Sequence, residues 1–141
     1  MISVLVCTHG SAAVGLVETA EMICGKQSQC KALAFTMGQP LEEFKQQVQQ
    51  VLQSFNSSKV LCLTDLKGGT PFNILVNLTS EYPDLKIVTG VNVPMLLQAF
   101  IQRPNLELGQ LLPEIIQAGK QGIDNYDINS INSENTESEE F

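Results

Sequence analysis

Two residues of this chain could do chemistry together. His9 is the single histidine among 141 residues and sits in the run Thr8-His9-Gly10-Ser11. Asp65 opens the run Asp65-Leu66-Lys67-Gly68-Gly69-Thr70-Pro71-Phe72-Asn73. An imidazole whose Nδ1–H is held by a carboxylate has a fixed tautomer and presents the Nε2 lone pair outward. The carboxylate also stabilises the positive charge that develops when Nε2 attacks an electrophile. The rest of the Asp65 run suits an anion. Thr70 is expected as a helix N-cap, with Pro71 at the first helical position. Glycines let a backbone come close to a ligand. A strand that breaks into a capped helix aims free N–H groups and a positive dipole end at one point. Gly10 and Ser11 precede a second helix start. The expected phosphoryl nest is therefore Gly10, Ser11, Gly68, Gly69 and Thr70. The same residues also suit an ordinary strand-to-helix turn, so the elements around them decide.

Those elements are legible as alternating apolar runs and helical periods. Ile2 to Thr8 reads as a buried strand, followed by a helix capped by Ser11 with Ala13, Leu16, Val17, Ala20 and Ile23 on one face. Cys30 to Thr36 reads as a second strand. Pro40 opens a helix carrying Leu41, Phe44, Val48, Val51, Leu52 and Phe55. Val60 to Thr64 is a third strand, with a helix after it to about Tyr82. Leu85 to Thr89 is a fourth. Pro94 begins a helix from Met95 to about Arg103, and a last helix runs from about Gly109 to Gln121. Residues 123–128 are expected to add a short antiparallel edge strand. Residues 129–141 are Asn, Ser and Glu with little apolar content and are expected to be disordered.

Four β–α repeats imply an α/β fold: a flavodoxin-like, doubly wound, mainly parallel four-stranded sheet with helices on both faces. Residues 1–123 form the domain and 124–141 an acidic tail. In the flavodoxin-like order, strands one and three are neighbours at the switch point, where ligands bind beyond the carboxyl ends. His9 ends strand one and Asp65 follows strand three. Topology thus brings the histidine beside the aspartate. Lys67, Asn92, Pro94 and Met95 complete a candidate rim, although a solvated lysine, a turn with a helix start, and a core methionine are the plainer roles.

Composition excludes several function classes. The net charge is −7, but residues 124–141 hold six acids and no base, which leaves the first 123 residues near −1, with 8 bases against 9 acids. The acidity belongs to the tail. No basic patch with interleaved aromatics points to nucleic acid. Cys7, Cys24, Cys30 and Cys62 form no CxxC pair and read as reduced, small apolar residues. One histidine without a neighbouring ligand gives no transition-metal site, and no cofactor is expected. No GxxxxGK[ST] loop is present. No apolar run reaches spanning length, and no signal-peptide pattern opens the chain, so the expected compartment is the cytoplasm.

Three motifs together carry a resemblance: Thr8-His9-Gly10, Asp65 through Asn73, and Gly90-Val91-Asn92-Val93-Pro94-Met95-Leu96. The chain from residue 1 to about 123 resembles the IIA component of the mannose/fructose/sorbose family of the bacterial phosphoenolpyruvate-dependent sugar phosphotransferase system. The resemblance implies a phosphocarrier. The phosphocarrier protein HPr donates a phosphoryl group to Nε2 of His9, and a IIB component accepts it, while membrane components IIC and IID import the sugar. Asp65 matches the family's histidine-orienting aspartate. Gly68, Gly69, Thr70 and Pro71 match its phosphoryl-holding turn. Family members form homodimers that can exchange a C-terminal edge strand. Some relatives continue into a IIB domain; this chain continues into an acidic tail that matches the family poorly, and so looks like a stand-alone IIA. Two alternatives remain from sequence. One is the phosphocarrier subunit of a phosphoenolpyruvate-dependent dihydroxyacetone kinase. The other is a non-catalytic regulatory module of the same fold.

Overall fold

The computed structural model describes residues 1–131. Four strands, β1 (Ser3–His9), β2 (Cys30–Phe35), β3 (Val60–Thr64) and β4 (Leu85–Thr89), form one sheet in the order β2-β1-β3-β4. All three pairings are parallel. This is the flavodoxin-like order that the alternation of elements predicts. The central strands β1 and β3 are buried on both faces, so their sequences are continuous apolar runs rather than alternating ones.

The period of two still shows in where each side chain goes. Val4 and Val6 of β1 and Leu61 and Leu63 of β3 join a core with Ala13, Ala20, Leu96, Ala99, Phe100, Leu111 and Ile115. Those partners lie on α1 (Ala12–Cys24), α4 (Val93–Gln102) and α5 (Leu108–Gln121). Leu5, Cys7, Val60 and Cys62 point the other way. They pack with Phe44, Val48, Leu52, Ile74, Leu75 and Leu78 of α2 (Leu41–Ser54) and α3 (Thr70–Leu78). Helices therefore cover both faces, and the C-terminal ends of the strands are left for loops.

Several element boundaries differ from the sequence expectation. α3 ends at Leu78, not near Tyr82: Thr79 N–H and Glu81 N–H bond to carbonyls three residues back, at Val76 and Leu78, so the α-helical ladder gives way to tighter turns. The N-cap of α3 is Gly69, not Thr70, and Asn73 N–H makes the first helical bond to the Gly69 carbonyl at 2.9 Å. Pro71 accordingly occupies the second helical position. α4 begins one residue before Pro94 because the Asn92 side chain caps it, accepting from Met95 N–H at 3.0 Å. α5 starts at Leu108 behind a capping box of Glu107 and Gln110, which the periodicity alone missed. The expected edge strand at 123–128 is absent. Residues 123–127 are irregular, and α6 (Ile128–Ile131) is one helical turn. A strand needs a ladder partner; here Ile123, Tyr126 and Ile128 are instead 71–78% exposed. Residues 129–131, expected to be disordered, lie in α6. The rest of that stretch, 132–141, lies outside the described residues.

Candidate functional site

The register of the sheet builds the site. β1 and β3 pair with Cys7 opposite Thr64. His9 stands two residues beyond Cys7 and Asp65 one beyond Thr64, so both emerge at the same end of adjacent strands. His9 Nδ1 lies 2.9 Å from Asp65 Oδ2, and His9 backbone N–H donates to the same oxygen at 3.2 Å. Burial pushes the Asp65 carboxyl up, but the hydrogen bonds from the His9 ring and backbone outweigh it and hold the group below its ordinary value of 3.8. Asp65 is therefore a carboxylate near neutral pH and can only accept. That makes Nδ1 the donor, so the neutral form of the ring carries its lone pair on Nε2. The pair is partly solvated, with the His9 side chain 45% and the Asp65 side chain 30% exposed. Such a pair adds about 0–1 kcal/mol to stability. Its effect is orientation.

Gly69 and Phe35 confine the ring. A Cβ built on Gly69 would lie 2.7 Å from His9 Cε1 and 3.5 Å from Nε2. The N-cap of α3 therefore borders the free nitrogen, and only glycine leaves room for the ring. Phe35, the last residue of β2, meets the imidazole edge-on with centroids 6.1 Å apart. Phe44 braces Phe35 from behind at 5.2 Å. Sequence reading missed Phe35, although the same logic that found Asp65 applies to it: β2 is the other neighbour of β1, with Phe35 in register with His9.

Two helices start beside the ring, and their N–H groups are unequally available. Gly10 N–H is already given to the Phe35 carbonyl at 2.9 Å, and Gly69 N–H to the Leu66 carbonyl at 3.2 Å. These two glycines, expected as anion donors, shape the turns instead. In α3, Thr70 N–H and Phe72 N–H precede the first helical bond and have no acceptor within the helix. Gly68 turns the chain at φ +82°, and Asn73 Nδ2 donates to its carbonyl at 3.1 Å. In α1, Ser11 holds the N-cap position, but its hydroxyl does not cap. Thr8 does this from the strand: its buried Oγ1 accepts from Ala13 N–H at 2.7 Å. The Ser11 hydroxyl is thus left at the exposed surface.

The remaining rim residues fall apart into separate roles. Lys67 is exposed in the β3–α3 turn. Asn92 is occupied: beyond capping α4, its Nδ2 donates to the Gly119 carbonyl on α5 at 2.9 Å. Pro94 packs so closely on α5 that a Cβ on Gly122 would meet Pro94 Cγ at 2.3 Å. Met95 is 4% exposed and belongs to the core. These three join α4 to α5. The loop after β2 takes their expected place, since Thr36, Met37 and Gly38 line a cavity shared with His9. No helix among the described residues is long and apolar enough to cross a membrane.

Comparison with known proteins follows the same lines. Residues 3–116 match the family described as PTS system fructose IIA component. The chain is 31% identical to the PTS system fructose-specific EIIA component of Bacillus subtilis, over 86% of this chain and 84% of that protein. It is 30% identical to the PTS system mannose-specific EIIAB component of Escherichia coli K12; that match spans 86% of this chain and 38% of the longer relative. Among solved structures, phosphotransferase system component EIIA from Streptococcus agalactiae aligns with a TM-score of 0.82 at 31% identity, covering 89% of this chain and 97% of that one.

Proposed function

The chain belongs to the mannose-type IIA family of the sugar phosphotransferase system, and on that premise we propose that it is a phosphocarrier with His9 as its nucleophile. The observation that carries this reading is the 2.9 Å contact between His9 Nδ1 and Asp65, with the N-cap of α3 against the opposite side of the ring. Nε2 attacks the phosphorus of phospho-HPr. The bond from phosphorus to the donor's imidazole breaks, and its electron pair returns to that ring. No proton leaves Nε2, because the ring proton stays on Nδ1 against Asp65. The imidazolium-like charge that develops is balanced by the carboxylate 2.9 Å away.

The incoming oxygens are held by Thr70 N–H, Phe72 N–H and the Thr70 hydroxyl, with the α3 dipole behind them. The Ser11 hydroxyl and the start of α1 close the other side. Gly68 and Gly69 give the turn its path and leave space for the ring. Transfer to a IIB component reverses the same steps. The site is shallow and half-exposed, as a carrier needs when both its substrates are proteins. The carrier acts in the cytoplasm and as a homodimer, the exposed Ile123, Tyr126 and Ile128 supplying apolar surface for a second copy.

The test is intact mass after incubation with phosphoenolpyruvate, enzyme I and HPr. One acid-labile phosphoryl adduct is expected, absent in His9→Ala and discharged by a cognate IIB protein. An adduct that survives His9→Ala would overturn the assignment of the nucleophile.

A further inference from the structure

Asn73 lies one turn into α3 and holds both carbonyls of the two-glycine turn. Its backbone N–H donates to the Gly69 carbonyl at 2.9 Å, and its side-chain Nδ2 donates to the Gly68 carbonyl at 3.1 Å. The first bond belongs to the helix. The second reaches five residues back, past the N-cap, and comes from the side-chain amide. Asn73 is exposed, so the core has no need of it, and asparagine is a weaker helix former than alanine. The peptide plane it holds lies between two residues without a Cβ, where rotation meets little hindrance. Gly68 already sits at φ +82°. The plane runs close to the imidazole, since a Cβ on Gly69 would stand 2.7 Å from His9 Cε1. Its N–H end is fastened to the Leu66 carbonyl at 3.2 Å, and its oxygen end to the Asn73 amide.

Resting on the phosphocarrier reading, we propose that Asn73 is a positioning residue for phosphoryl transfer: its amide keeps the Gly68 carbonyl turned toward the body of α3, so that the incoming phosphoryl oxygens meet N–H groups and no carbonyl oxygen. The direction of the dipoles carries the argument. Both glycine carbonyls point at residue 73, which follows the N-cap in the chain, and so away from the open end of the helix that suits an anion. A released Gly68 carbonyl can swing off the helix, and an oxygen turned toward the ring repels a phosphoryl group on Nε2. Release also loosens the Gly69 backbone that confines the ring. The amide bonds to the turn and not to the imidazole, so it acts through the backbone. The transfer itself is unchanged: one P–N bond breaks as the Nε2–P bond forms.

The experiment compares the wild type, Asn73→Ala and Asn73→Asp with two donors, alongside urea unfolding. Asn73→Ala deletes the donor but is the better helix former, so its urea midpoint should stay at or above the wild type. Asn73→Asp keeps the shape and offers only acceptors at neutral pH. With phospho-HPr, Asn73→Ala is expected to lower kcat about tenfold with KM near the wild type. Asn73→Asp should lower it further, because a carboxylate repels both the Gly68 carbonyl and the phosphoryl group. Phosphoramidate is a small reagent that phosphorylates imidazole with loss of ammonia. Its rates should fall in the same order and by similar factors, since the turn serves the phosphoryl group and not the donor protein. Unchanged transfer in Asn73→Ala would overturn the proposal and leave the carrier intact. So would a loss confined to phospho-HPr and to KM, which would make Asn73 a docking residue. A loss only in step with a fallen urea midpoint would also overturn it and assign Asn73 to the fold. A wild type that accepts a phosphoryl group from neither donor would overturn the carrier reading itself.

Discussion

Gly69 has a backbone any residue can adopt, with φ −74° and ψ 170°. Alanine there should fold, but its methyl would stand 2.7 Å from His9 Cε1. The ring must then move off Asp65 or away from α3. Displacing a reacting group by about 1 Å costs roughly 100-fold in rate. Gly69→Ala is therefore expected to keep its unfolding midpoint while losing phosphoryl transfer by about two orders of magnitude. Loss of both together would show that the glycine serves the fold rather than the ring. Asp65→Asn tests the other side of the imidazole. It should slow transfer about 100-fold or more, because an amide no longer favours the required tautomer or balances the developing charge. It also has a pH signature. Asp65 titrates lower in the folded chain than in the unfolded one. Its stabilisation is thus complete above the ordinary carboxylate range and is lost as pH falls through the folded value. The stability gap between wild type and Asp65→Asn, from urea unfolding, should be present at pH 6 and shrink below about pH 4. A gap constant with pH would mean that the paired charge contributes nothing. His9 and Asp65 were legible because residue type and strand order converge on them. Thr8 was not: a threonine ending an apolar run looks like any strand residue, and only the fold brings its hydroxyl to the start of α1.

Strand limits are legible in the sequence, and helix ends are not. β3 and β4 match the expected strands residue for residue: β3 is buried throughout and reads as a continuous apolar run, while β4, at the sheet edge, buries Leu85 and Val88 and exposes Lys86. Helix ends depend on which side chain reaches which N–H. Thr70 has the composition of a cap, yet Gly69 holds that place. The sequence offers Asn92 as a rim residue; in the fold its amide bridges the start of α4 and the end of α5. This gives a discriminating prediction. Asn92→Ala removes a cap and an interhelix bond, so it should destabilise the chain by about 1–2 kcal/mol. Phosphoryl transfer from phospho-HPr at low temperature, where the variant stays folded, should be unchanged. A transfer defect in a natively folded Asn92→Ala variant would return the residue to the site.

Across the whole molecule, the site occupies one end of the sheet, and Arg103 fastens the region where the first two strands begin. Arg103 is 2% exposed and its guanidinium donates to the carbonyls of Ile2, Ser28 and Gln29 and to Gln27 Oε1. Phe100 lies beneath it at 5.5 Å. Residue 103, at the end of α4, thereby ties residue 2 to the chain entering β2. The loop it holds is itself constrained: Gln29 sits at φ +48°, in the left-handed region that side chains other than glycine seldom adopt. Its backbone carbonyl accepts from Val4 N–H, and its side chain accepts from Asn56 N–H. Nothing in the sequence marks this knot, because an arginine at a helix end reads as solvated charge, and its acceptors are backbone carbonyls without a residue signature. Met fits the volume of Arg103 but offers no donor. Arg103→Met should leave several buried acceptors unsatisfied and destabilise the chain by about 3 kcal/mol. Arg103→Lys keeps one charge and three donors but not the planar fork that reaches four acceptors at once, and should lose about half as much. Both should keep the distance from His9 to Asp65, so phosphoryl transfer by the folded fraction should match the wild type even as the urea midpoint falls. Unfolding free energies of both variants within about 0.5 kcal/mol of the wild type would mean that water replaces the guanidinium without cost, and that the junction of β1, β2 and α4 is held by apolar packing alone.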